Sequence, residues 1–179
     1  MSEGNGAAAG SELWVFGYGS LMWRTGFRHV EVMRARLEGW HRAPCVLSHV
    51  HRGTPERPGV VLGLDAGGSC EGLAFRVAAA KRVEVLNYLR AREQVTMVYQ
   101  ERTLPVALAD GRTVQAVTYT VDRTHLQYAH ALPLSELLER IEGARGQSGE
   151  NPDYFRDTAR KLAELGIRDD LVERIANRL

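Results

Sequence analysis

Cysteine is scarce in this chain of 179 residues: Cys45 and Cys70 are its only two. That is too few for a disulfide scaffold or a four-thiolate metal site, and a reduced, cytoplasmic setting is expected. Long apolar runs are missing as well. No stretch approaches the about 18 consecutive apolar residues that a membrane-spanning helix needs. The Gly- and Ala-rich start is read as a disordered tail over residues 1–12, because it lacks the basic-then-apolar order of a signal peptide. Neither sign of charge dominates: 23 Lys and Arg stand against 22 Asp and Glu. No global field therefore exists to hold a nucleic acid or an anionic membrane, and neither is expected as a partner. Internal repeats are absent. What is present is 44% hydrophobic content, enough for a real core, so residues 13–179 are read as a single soluble domain.

Along that domain, Leu13-Trp14-Val15-Phe16 is a short aromatic and β-branched run that stops at Gly17-Tyr18-Gly19-Ser20, the pattern of a buried strand opening into a tight loop. A second strand region is expected from Arg36 to Ser48, interrupted by Pro44, and the charged stretch from His51 to Gly59 is Gly- and Pro-punctuated, hence a loop. Val60 to Leu64 and Glu71 to Val77 read as two strands of a hairpin turning at Asp65-Ala66-Gly67-Gly68. Ala78 to Glu93 has no internal Gly or Pro and reads as a helix; Tyr99 to Leu108 and Thr113 to Val121 form a second hairpin around Asp110-Gly111. Beyond Pro133, Leu134, Leu137, Leu138 and Ile141 recur at helical spacing, and Asn151-Pro152-Asp153 is a helix-start signal. Strands come first and most helices last, which predicts an α+β fold around a mixed or barrel-like sheet.

Three groups of residues can carry chemistry. In Gly17-Tyr18-Gly19-Ser20-Leu21 two glycines let the backbone turn so that successive N–H groups converge, and such a loop can hold an oxyanion or a carboxylate. It is neither a dinucleotide fingerprint nor a nucleophile elbow, since Tyr18 and Met22 stand where glycines would be needed. A plain structural turn is the commoner origin of such a Gly pair. Glu93 follows Leu86 by seven residues and Leu89 by four, so it shares their helix face. A carboxylate there is either a desolvated general base or, where the helix frays, one that reaches water or pairs with Arg90 or Arg92. Arg42, Arg52 and Arg57 gather near the charged loop, where they either clamp a substrate carboxylate or solvate a mobile segment. His49 and His51 are two apart, but no third ligand accompanies them, so no metal site is expected.

Taken together, these segments resemble the ChaC family of γ-glutamylcyclotransferases, the glutathione-specific type. Phe16-Gly17-Tyr18-Gly19-Ser20-Leu21 is similar to the family's opening substrate loop, and His51-Arg52-Gly53-Thr54 with Pro58-Gly59 is similar to its second loop. Tyr88-Leu89-Arg90-Ala91-Arg92-Glu93 is similar to its Tyr-Leu-x-x-Arg-Glu helix end. Asp122-Arg123-Thr124-His125, Gln127-Tyr128, and Gly146-Gln147-Ser148-Gly149-Glu150-Asn151 followed by Tyr154 also look like family segments. There are two departures: His41-Arg42-Ala43-Pro44 keeps one arginine where the family often has two and an aromatic, and Val95-Thr96-Met97 replaces a Gly-Gly-Tyr.

The resemblance implies the cyclotransferase-like fold, a small mixed barrel-like sheet with flanking helices, and a cofactor-free reaction on a small γ-glutamyl substrate, glutathione above all. The glutamyl α-amine attacks its own γ-carbonyl and releases 5-oxoproline and cysteinylglycine. Glu93 is then the general acid/base. Backbone N–H groups of Gly19, Ser20 and Leu21 hold the developing negative charge, Tyr18 and Tyr119 fix the glutamyl group, and Arg52 takes the distal carboxylate. Two rivals stand beside this reading: a cyclotransferase for other γ-glutamyl amino acids or amines, and a non-catalytic γ-glutamyl-binding regulator.

Overall fold

The computed structural model describes residues 11–179. Of the tail expected over residues 1–12, all but Ser11 and Glu12 lies outside the described residues, and Glu12 is ion-paired with Arg76 at 2.6 Å. Strands β1 (Leu13–Gly17), β2 (Glu31–Ser48), β3 (Gly59–Val77), β4 (Tyr99–Leu108) and β5 (Thr113–Val121) close into a barrel. Their order around it is β1-β3-β2-β4-β5. Four of the neighbouring pairs are antiparallel. The seam between β5 and β1 is parallel, with Trp14 opposite Ala116 and Val15 opposite Val117. This is the mixed barrel of the expected α+β class. β1 is buried along its whole length, as its apolar run requires.

The hairpin expected between Val60 and Val77 does not exist: β3 runs straight through Asp65 to Cys70 as one 19-residue strand against β2. Its two glycines bend the ribbon without reversing it. Glu38 pairs with Ser69 and Trp40 with Ala66, so Gly39 alone opposes Gly67 and Gly68, and all three have positive φ. This is a β-bulge, which needs the left-handed backbone that glycine adopts freely. A second bulge lies between Ala43 and Val46, where Pro44 and Cys45 oppose Leu62 alone. Proline is tolerated inside β2 because the ladder is already broken there. β2 also starts earlier than expected, at Glu31.

Helix α1 (Arg82–Glu93) follows a short 3-10 turn at Ala79–Lys81 and buries Val85 and Leu89. The Asp110-Gly111 hairpin forms as expected, with Asp110 Oδ1 accepting from the Arg112 N–H at 3.0 Å. Three helices complete the chain: α2 (Leu134–Ile141), α3 (Asn151–Glu164) and α4 (Asp170–Ala176), with a small β6/β7 pairing (Arg145–Gly146 and Gly149–Glu150) before α3. Leu137, Ile141, Phe155, Leu162 and Ile175 pack into the same core as Val15 and Phe16. Each such fully buried side chain is worth roughly 1.5–3 kcal/mol. No helix among the described residues is long and apolar enough to cross a membrane.

Candidate active site

A pocket of about 300 Å³ opens where the loop after β1, the loop after β2, the end of α1 and the start of α3 meet, at the lower end of the size of ligand sites. Its first wall is the loop Tyr18-Gly19-Ser20-Leu21. The chain tightens there into a 3-10 turn, Ser20–Met22, with Met22 N–H on the Gly19 carbonyl at 3.0 Å. The amides at the head of such a turn have no partner within it. Arg92 holds the loop from within the pocket wall: Nη2 donates to Ser20 Oγ at 2.8 Å, and Nη1 donates to the carbonyls of Arg24 and Thr25 and to the Tyr88 hydroxyl. Tyr88 in turn lies where a side chain on Gly26 would have to go. The Tyr-Leu-x-x-Arg-Glu segment thus binds the loop with two of its members, Tyr88 and Arg92, and buries a third, Leu89, in the core.

Its last member, Glu93, points into the pocket. Among the described residues no hydrogen bond reaches its carboxylate, and its one ionic neighbour is Arg92 Nε, 3.3 Å from Oε1. The side chain is 17% exposed, yet burial holds the carboxyl above the usual carboxylate range, with Arg92 offsetting only part. Tyr18, Tyr99, Tyr119 and Tyr154 line the same cavity, and burial, reinforced by the charge of Glu93, keeps all four phenols protonated. The hydroxyl of Tyr18 donates to the Tyr119 carbonyl at 2.8 Å, and that of Tyr119 donates to Glu101, itself held by Nε and Nη2 of Arg90.

The second bulge of the β2/β3 ribbon supplies two of these tyrosines with their anchors. Leu62, which stands alone against Pro44 and Cys45, gives its N–H to Tyr154 Oη at 3.0 Å and its carbonyl to the Tyr99 hydroxyl at 2.7 Å. A neighbouring tie is Asn151, fully buried, which takes the Val60 N–H at 2.8 Å and donates to the Val60 carbonyl at 2.7 Å. The sheet thus positions both rings through backbone groups that its own ladder leaves unused.

The opposite wall is the loop carrying His51 and Arg52. A carbonyl can only accept, so His51 Nε2, 3.0 Å from the Arg92 carbonyl, carries the proton, and Nδ1 accepts from Ser148 Oγ at 2.9 Å. Arg52 is 6% exposed. Its Nη1 donates to the Glu150 carbonyl at 2.9 Å, and its guanidinium lies 5.7 Å from the Trp23 ring and 5.6 Å from the Tyr154 ring. No carboxylate of the described residues pairs with it. Burial lowers its pKa from the ordinary arginine value.

Of the residues singled out from the sequence, Phe16, Tyr18, Gly19, Ser20, Leu21, Arg52, Glu93 and Tyr119 all line this pocket. Gly17 sits behind it, packed against Leu21 and Phe75. Of Arg42, Arg52 and Arg57, which the sequence leaves open between a carboxylate clamp and solvation of a mobile segment, Arg52 alone lines the pocket. Arg42 lies on the other side of the loop, with Nε on the Tyr18 carbonyl at 2.6 Å and Nη1 on Asp169 at 3.1 Å, and exposed Arg57 donates to the Glu142 carbonyl at 2.6 Å. Both are consumed by structural bonds. Tyr99 and Arg24 line the pocket without having been assigned a role. No periodicity marks either, since Tyr99 reaches the site only through the bulge. Among the described residues no three His, Cys, Asp or Glu side chains gather as a metal site would require.

Comparison with known proteins gives the same family as the local resemblances. A protein from Escherichia coli K12 named glutathione-specific gamma-glutamylcyclotransferase is 35% identical over 158 residues, spanning 88% of this chain and 68% of that protein. Gamma-glutamylcyclotransferase 2-3 of Arabidopsis thaliana is 30% identical over 93% of this chain and 88% of its own. The crystal structure of a yeast γ-glutamyl cyclotransferase specific to glutathione shares the fold with a TM-score of 0.86 at 20% identity, covering 93% of this chain and 95% of that one. The family model described as ChaC-like protein matches residues 13–179, from the first barrel strand to the last helix, and the chain belongs to that family.

Proposed function

We propose that this chain is a glutathione-specific γ-glutamylcyclotransferase, acting as one domain over residues 13–179 and needing no cofactor. The observation that carries the reading is Glu93: a carboxylate left without a hydrogen-bond donor, lifted in pKa by burial, and aimed into the pocket bounded by the glycine loop. In glutathione the nucleophile is already tethered to its target, so the protein has only to fold the glutamyl arm and manage protons. Glu93 takes a proton from the α-ammonium, the freed amine closes on the γ-carbonyl, and Glu93 returns the proton to the departing cysteinyl amine. The amides of Gly19, Ser20 and Leu21 stabilise the negative charge on the carbonyl oxygen. Tyr18 and Tyr119 shape the glutamyl site, and Arg52 takes the distal carboxylate. The E. coli and yeast proteins just described, both named for action on glutathione, support the substrate. A cytoplasmic location fits two buried, unpaired cysteines.

The test is to incubate the protein with glutathione and with γ-glutamyl-alanine and to measure 5-oxoproline from each. Release from glutathione in clear preference is expected. Preference for γ-glutamyl-alanine would reassign the substrate, and no product from either would favour a binding protein.

A further inference from the structure

The charges that line the pocket do not balance. Arg24, Arg52 and Arg92 share it with a single carboxylate, Glu93, in a molecule whose formal net charge is only +1. Arg92 is accounted for by Glu93, Ser20 and the carbonyls it holds. Arg52 and Arg24 have no carboxylate partner among the described residues. The backbone of Arg24 is locked at both ends, its N–H on the Ser20 carbonyl at 2.7 Å and its own carbonyl under Arg92. Its side chain is exposed, and its guanidinium makes no hydrogen bond or ion pair among the described residues. Two unneutralised guanidiniums at one cavity repel each other, and the charge of Arg24 is among the influences felt by Arg52. An anion between them would relieve that repulsion and meet a planar donor fork on each.

Glutathione carries two carboxylates and one ammonium, a net charge of minus one, whereas a γ-glutamylamine lacks the distal carboxylate. We propose that Arg24 is a specificity-determining residue that acts with Arg52 to favour a free carboxylate on the leaving half of the substrate, so that glutathione is preferred over γ-glutamylamines. This rests on the function proposed above and deepens it.

Glutathione and its C-terminal amide, which differ by that one charge, are the probes. The protein as it stands should turn over the amide with a kcat/KM about tenfold lower. Arg24→Gln should raise KM for glutathione about fivefold at nearly constant kcat, the size of a partly exposed ion contact, and leave the amide unchanged. Arg24→Lys should recover most of the loss, and added salt should weaken glutathione selectively. Equal turnover of the two compounds by the unmodified protein, or an equal loss on both in Arg24→Gln, would overturn the assignment. If neither compound yields 5-oxoproline, the cyclotransferase reading fails separately. Titration calorimetry of the same pair then decides on Arg24, with equal affinities counting against it.

Discussion

Glu93, whose carboxylate no described residue hydrogen-bonds, sits in a pocket where burial disfavours the charged form and raises its pKa. Glu93→Gln keeps the size and removes the proton acceptor, so turnover measured as 5-oxoproline should fall by at least about 10²-fold. In the unmodified protein kcat should drop on the acid side as Glu93 protonates, above the ordinary glutamate range. Stability moves the other way. A glutamate with a folded pKa above its unfolded one is most favourable below the unfolded value, about 4.3, and the benefit is lost as pH rises through the folded pKa. At pH 7 the glutamine variant should therefore melt higher, and that gain should vanish below about pH 4 in thermal scans. Arg52→Ala removes binding that substrate and transition state share, so KM for glutathione should rise more than kcat falls. Unchanged kinetics would leave the arginine as packing between Trp23 and Tyr154.

At the level of the element, the loops obey the backbone that crowds them. A methyl on Gly53 would meet the Gly59 nitrogen and the Ser48 carbonyl, neither of which can move aside. Gly39 has a φ of +84 but open space around it. Gly53→Ala should cost about 3 kcal/mol or more in urea unfolding and weaken glutathione binding through the adjacent Arg52, whereas Gly39→Ala should cost about 1–2 kcal/mol and spare activity. These contrasts also explain what could be read in advance. The Asp110-Gly111 hairpin, the helix beginning near Asn151 and the strand into Gly17 were announced by turn chemistry and apolar runs that act locally. The Gly67-Gly68 pair reads as a turn because a bulge and a hairpin use the same left-handed residues, and only the partner strand, with Gly39 opposite, decides between them. That Glu93 and Arg52 would lie at one pocket is legible in sequence because a helix face and a loop are local features. The roles of Arg42 and Tyr99 were missed because each depends on pairings that no spacing records, Arg42 with a helix cap 127 residues away.

That helix cap joins the ends of the molecule. Asp169 accepts the Val172 N–H at the start of α4 and also pairs with Arg42, whose side chain is only 4% exposed and holds the Tyr18 carbonyl. Asp169→Asn keeps the cap but strands a buried guanidinium, so a loss of about 3 kcal/mol is expected in urea unfolding, with a lower kcat/KM. Adding Arg42→Met should restore most of the stability but not the activity, because the Tyr18 carbonyl then has nothing to hold it. An unimpaired double variant would show the pair to be scaffolding alone. The parallel seam has its own consequence, in time. β1 and its loop precede by about a hundred residues the strand that closes on them: the Tyr18 hydroxyl waits for the carbonyl of Tyr119, 101 positions on, and Leu62 waits for Tyr154. Contacts so distant along the chain form slowly, after the local hairpin and helices. A chain ending just after α1 would therefore have the loop and the glutamate but lack Tyr119 and Tyr154, which complete the pocket wall.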